Sequence, residues 1–287
     1  MEISLRKLQT FRSNTYGMNP GRRLKTPQQA VEFVNRRGFI FLWPIKDVEL
    51  PSLWCAVAGD RPVADEHDDP GHISWGWKDQ LLDQRVWYYA RMLKHRNTFI
   101  STQLAPYFYA LTPNYGSPEE DFYDQYQQGE ITLETKLVFE ALLKEGPLDT
   151  LSLRKAAHLT GKNSNSAFSK ALDTLQVDMR VLPVSISEAG RWHYAFVYDL
   201  THRYYPDLSE QARTINENKA RRVLAQTYFA SVGAASLHQA AALFHWTTEI
   251  TLRTLTSLVD KKELAADISI ESQKDLFYVL PEIVSED

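Results

Sequence analysis

The run Asp65-Glu66-His67-Asp68-Asp69, with His72 just beyond it, gathers carboxylates and imidazoles that could hold a hard cation through oxygen. Its order fits neither a calcium loop nor the paired histidines of a zinc helix. An acidic loop is the simpler reading, and no metal or cofactor is expected. Ser74-Trp75-Gly76-Trp77-Lys78 sets two tryptophans around a glycine, rings that could stack a base or fill a core. Tyr107, Phe108 and Tyr109 read as core. Arg22, Arg23, Lys25, Arg36 and Arg37 could follow a phosphate backbone. Lys162, Asn163, Asn165 and Ser166 open a predicted helix with short polar donors and a cation, types suited to phosphates and base edges. Lys170 lies further along that helix. Arg191 and His193 flank a predicted hairpin tip, within reach of phosphates or a minor groove. Solvated loops and capped turns account for the same residues without any ligand.

No phosphate-cradling glycine loop, no serine nucleophile elbow and no His-Glu-x-x-His helix is present. The single cysteine, Cys55, excludes a disulfide framework within one chain, and its neighbours Leu53-Trp54-Cys55-Ala56-Val57 predict a buried thiol. Histidines 158, 202, 238 and 245 read as structural. No apolar run is long enough for a membrane span, and the first residues lack a signal-peptide core. A cytoplasmic protein associated with the nucleoid is the expectation.

The net charge of −4 hides an uneven distribution. Residues 1–46 hold nine Lys/Arg and two acids, a local +7; residues 47–130 hold fourteen acids and six bases, a local −8; residues 146–206 carry +2. Such asymmetry can create a one-sided positive field despite a negative total.

Positioning these residues falls to a recurring set of elements. Thr26-Pro27 reads as an N-cap with proline at the first helical position, and Gly38 as the stop of a helix burying Ala30, Phe33 and Val34. An apolar run from Phe39 to Ile45 follows. Leu81, Leu82, Val86, Tyr89, Met92 and Leu93 recur at helical spacing and predict a helix over 78–94. Beyond 130 a weak repeat emerges. Its first copy has helices over 137–146, 150–159 and 167–175, then strands over 179–186 and 192–200. The second has helices over 220–232, 236–244 and 251–259, then strands over 264–270 and 275–280. Three helices and a hairpin in that order describe a winged helix, whose third helix enters a DNA major groove. The predicted fold class is mainly α with small β-hairpin wings (α+β), built of tandem winged-helix units over 1–128, 129–207 and 208–287. The third helix of the first copy lacks arginine, so contact without strong guanine readout is expected.

Residues 137–206 resemble the winged-helix region of the AlkZ/YcaQ-type crosslink-repair DNA glycosylase family. The resemblance rests on Gly146-Pro147-Leu148 at a helix end, the helix over 167–175, and Val197-Tyr198-Asp199-Leu200 before Tyr205-Pro206. It implies a divergent, shorter member of a family that binds duplex DNA and excises alkylated bases. That family carries a glutamine–apolar–glutamine or glutamine–apolar–aspartate motif after a glycine. The counterpart here is Gly38-Phe39-Ile40-Phe41-Leu42-Trp43, with both polar positions falling on aromatics, Phe41 and Trp43. Rings cannot orient or deprotonate a water. Asp47 and Glu49, just beyond, are then the nearest candidate catalytic carboxylates, and Phe41, Trp43, Trp75 and Trp77 the candidate lesion pocket. Double-stranded DNA is the expected partner of a monomer. A non-catalytic regulator or damage sensor, and a protein-interaction module, remain alternatives.

Overall fold

The computed structural model describes residues 2–114, 116–190 and 192–284. The fold is mixed α/β, helical with small sheets. None of its described helices is long and apolar enough to cross a membrane.

Strand β1 (Glu2–Ile3) leads into α1 (Leu5–Thr15), which Ser4 caps by accepting from the Lys7 N–H. No element is expected from the sequence here, ahead of Thr26. Helix α2 (Pro27–Arg37) carries the expected Thr26 cap, with Gly38 at φ 78° closing it. A Cβ on Gly38 would collide with the Thr227 methyl, so both backbone sign and space require glycine there. Strand β2 (Phe39–Phe41) is buried throughout. Helices α3 (Leu53–Ala58) and α4 (Ile73–Leu81) follow, then β3 (Trp87–Arg91), a 3-10 turn at Leu93–His95, and β4 (Asn97–Ser101). The strands form an antiparallel sheet in the order β2-β4-β3.

The helix predicted over 78–94 is corrected: it ends at Leu81, and Trp87–Arg91 is a strand. The break comes at Arg85, left-handed at φ 54°. The misleading signal has a physical cause. Trp87 and Tyr89 pack into one core with Phe33 and Trp77, while Tyr88 and Ala90 enter another with Phe39 and Phe108. A strand buried on both faces loses its polar alternation, and aromatic β-formers then pass for a helical stripe.

Helices α5 (Ala105–Tyr109) and α6 (Pro118–Gln127) complete the first half; Phe108 and Tyr109 are buried, as expected of core aromatics. Then come α7 (Leu133–Glu145), β5 (Leu148–Asp149), α8 (Thr150–Ala156), α9 (Asn165–Val177), β6 (Val181–Ser187) and β7 (Ala195–Leu200), with sheet order β5-β7-β6. Short helices α10 (Thr201–Tyr204) and α11 (Leu208–Arg213) connect to α12 (Glu217–Val232). The chain ends through β8 (Ala234–Ser236), α13 (Leu237–Phe244), α14 (Thr248–Asp260), β9 (Ala265–Ile270), β10 (Leu276–Val279) and α15 (Pro281–Val284).

The last sheet has the order β1-β9-β10-β8, and β1 joins β9 in parallel, Ile3 opposite Ile270. A further seam joins the two halves: Phe39 packs edge-on against Phe108 at 5.4 Å and Phe244 at 5.8 Å. The same core takes in Tyr228 and Phe229 of α12.

Candidate functional site

Three places in the fold gather the residues singled out by type. The first is a groove of about 590 Å³ between the end of α1, the Pro20–Arg22 turn and α2. Arg22, Arg23, Arg36 and Arg37 line it, against one carboxylate, Glu32. Helix α2 presents Arg36 and Arg37 in its last turn, while its other face buries Ala30, Phe33 and Val34. Arg37 donates to the Ala230 carbonyl at 3.2 Å, and burial beside Arg36 draws its pKa down. Arg22, Arg23 and Arg36 make no ion pair with the described residues. Lys25 is exposed beside the groove and outside its lining.

The second place is an aromatic cluster centred on Trp43. Its ring lies 5.5 Å from Trp54, 5.6 Å from His72 and 6.0 Å from Trp75, nearly parallel to the last. Trp54 is wholly buried; its indole N–H donates to the Arg61 carbonyl at 3.0 Å and the Arg61 guanidinium covers its face. Gly71 approaches that ring so closely that a Cβ would come within 2.7 Å of it. Behind Trp75 lies Lys78, 0 % exposed, its ammonium 4.2 Å from the Trp75 ring centre and 4.4 Å from that of Phe196. Lys78 pairs with Asp79 and donates to the Tyr194 hydroxyl at 2.7 Å, which donates on to Asp79 at 2.9 Å. Desolvation outweighs the carboxylate and lowers the Lys78 pKa to about 8.

Sandwiching a base between two rings takes roughly 7–8 Å, twice a carbon–carbon contact. Trp43 and Trp75 at 6.0 Å leave no such slot. Phe41, 1 % exposed, sits in another core, whereas Trp77, 4 % exposed, belongs to the core against which Trp43 and Trp75 pack. The structure thus brings three of the four proposed pocket aromatics, Trp43, Trp75 and Trp77, together and packs them shut. Cys55 is buried on α3, where desolvation pushes its thiol pKa up.

The third place is a pocket of about 400 Å³ between residues 45–49, the Leu93–His95 turn and α13. Asp47 and Glu49 line it with Lys46, Lys94, Arg96 and His238. The Val48 N–H donates to the Ile45 carbonyl at 3.2 Å, which puts Lys46 and Asp47 at the tip of a tight turn, Asp47 at φ 60°. The carboxylates differ. Glu49 pairs with Arg12 at 3.0 Å and accepts from the Tyr16 hydroxyl at 3.3 Å. Asp47 is exposed and has no ion-pair partner among the described residues. Spacing alone gives no hint that His238, nearly 190 residues away, completes this wall.

Asn163, Asn165, Lys170 and His193 are exposed on α9, the turn before it and the β6–β7 tip. They stand apart from the arginine groove. The Lys162 side chain and Arg191 lie outside the described residues. The opposite face of α9 is held to β3, where Arg91 pairs with Asp173 at 3.0 Å and its N–H donates to Gln176 at 3.0 Å. The acidic loop expected over 65–69 turns on Asp69, which accepts from Arg61 and from the Gly71 N–H at 2.7 Å.

A family model described as AlkZ related matches residues 24–245. Among solved structures, the Streptomyces sahachiroi DNA glycosylase AlkZ is similar over 100 % of this chain and 73 % of that one, at 13 % identity and a TM-score of 0.61. That likeness is one of fold. A comparison with curated proteins finds no match.

Proposed function

This chain belongs to the AlkZ-related family, and we propose that it binds duplex DNA and acts in DNA repair, with a base-releasing centre at Asp47. One observation carries the reading: four arginines, from the Pro20–Arg22 turn and the end of α2, line a single groove against one acid. Guanidinium groups so arranged suit the regular phosphates of a duplex. In this reading the two helix–hairpin units act as winged helices. Asn163, Asn165 and Lys170 approach the major groove, and His193 with the β6–β7 tip lies over the backbone. The protein then works as a monomer on the nucleoid.

The reaction is hydrolysis of an N-glycosidic bond. Asp47 takes a proton from water as its oxygen attacks the anomeric carbon. The C1′–N9 electron pair leaves with an N7-alkylguanine, whose positive charge it neutralises, and the sugar keeps the hydroxyl. Asp47 suits the base's part because its carboxylate is open, whereas Glu49 is held by Arg12 and Tyr16. A second reading, a binding protein without chemistry, draws support from Phe41 and Trp43 at the family's polar positions.

The test is incubation with duplex DNA carrying N7-alkylguanine, followed for binding across salt and for abasic sites. Binding should weaken with a log–log slope of roughly −0.9 per phosphate contacted. Asp47→Asn should slow release roughly 10²- to 10⁴-fold with affinity kept. Binding without release would leave the non-catalytic reading, and no binding at low salt would leave a protein-interaction module.

A further inference from the structure

We propose that Lys94 and Arg96, aided by Lys46 and His238, form a cradle for one DNA backbone phosphate at the mouth of the Asp47 pocket. The inference rests on the DNA-binding reading above and deepens it.

The charges around this pocket do not cancel. Glu49 is engaged by Arg12, which leaves Asp47 alone facing Lys46, Lys94 and Arg96. None of these three cations is ion-paired within the described residues. They come from two separate turns, and α13 supplies His238 across the opening. Cations contributed by unconnected segments to one concave site differ from a charged helix face, which would present them along one element.

The backbone carries a second, independent sign. Lys94 and His95 both have φ 54°, and Asp47 across the pocket has φ 60°. Side chains seldom occupy the left-handed region, where glycine or asparagine is at ease. Two such residues in succession need outside support, and Thr98 gives it. That side chain is wholly buried, accepts from the Leu93 N–H at 3.3 Å and donates to the Arg96 carbonyl at 2.7 Å. The turn also packs on α13. A glycine would fold there with less strain; a lysine is kept where its ammonium borders the pocket. Strain held by surrounding structure concentrates at sites that bind.

Size and chemistry agree on the ligand. The pocket's 400 Å³ falls in the range of sites for small organic groups. A nucleotide turned out of the stack brings its flanking phosphate with it, and a protein that holds it must hold that phosphate. Lys94 and Arg96 would grip the phosphate while the sugar carbon faces Asp47.

The experiment compares affinity for an intact duplex and for one carrying a tetrahydrofuran abasic analogue, across salt. Lys94→Gln and Arg96→Gln should each weaken abasic-duplex binding roughly tenfold, as loss of a charge-assisted hydrogen bond does. Each should also lower that duplex's salt slope by about one, with intact-duplex affinity little changed. Arg22→Gln with Arg23→Gln should weaken both duplexes alike. Lys94→Gly separates folding from binding: relief of strain should raise Tm by about 2–4 °C while abasic-duplex affinity still falls. If the wild type discriminates between duplexes and the Lys94 and Arg96 variants discriminate equally well, the cradle is wrong. If they weaken both duplexes equally, they belong to a general phosphate track and the cradle is equally wrong. A wild type that binds neither duplex overturns the cradle together with the reading beneath it.

Discussion

Trp43 and Asp47 stand four residues apart on one loop and face opposite environments. Trp43 joins Trp54, His72 and Trp75 in a cluster with no gap for a ligand. Asp47 sits at a strained turn beside open space and solvated cations. At the first place the chain gains apolar burial and aromatic edge contacts. At the second it leaves charges wet and backbone strain unrelieved, a combination that adds nothing to stability. That combination fits the phosphate cradle proposed above.

The largest effect should come from the sealed side. Trp54→Ala removes a fully buried ring, at a cost of about 3–5 kcal/mol in urea unfolding. A loss under about 1 kcal/mol would show that the cluster collapses around the gap, and would erase the contrast with the open pocket.

Next comes Lys78, which tests how dry that side is. Its folded pKa is about 8, against roughly 10.4 for a free lysine. Between those values the unfolded chain holds a proton that the folded chain has released. Stability should therefore rise with pH from about 8 to about 10, by up to roughly 3 kcal/mol. The rise then turns over, because burial holds Tyr198 protonated up to about 12 and raises Tyr88 and Tyr205 as well, while unfolded tyrosines ionise. Lys78→Met should flatten the rise and keep the fall. A wild type equally stable at pH 8 and 9.5 would mean water reaches Lys78 and the cluster is not sealed.

The smallest effect belongs to the open side. Glu49→Gln weakens one partly exposed ion pair with Arg12 and should cost about 1 kcal/mol, read as a Tm lower by about 2–4 °C. A much larger drop would make the pocket wall part of the core.

Helix α2 was legible because its signals are local: Thr26, Pro27 and Gly38 stand within one element. The groove was legible for a related reason, since its arginines fall within sixteen residues and charge excess needs no long-range information. Strand β3 was not, because burial on both faces removed the alternation that marks a strand. Among the aromatics, the family resemblance flagged Phe41 and Trp43 and the spacing around Gly76 flagged Trp75 and Trp77, but only tertiary packing could separate Phe41 from the other three. The partners of Lys78 were out of reach for the same reason: Tyr194 lies 116 residues away.

The parallel pairing of β1 with β9 has a consequence in time. Ile3 leaves the ribosome well before its partner Ile270. At roughly 5–20 residues per second the two are separated by roughly 15–50 s of synthesis. Through that interval Leu8 and Phe11 of α1, which pack with Ile268 and Phe277, have no lasting partner. Arg12, behind them, waits through 220 and 222 residues for the Val232 and Ala234 carbonyls that it binds in the finished fold. Helix α1 thus docks only after β9 and β10 have been made, and an emerging chain carries its apolar face uncovered until that sheet closes over it.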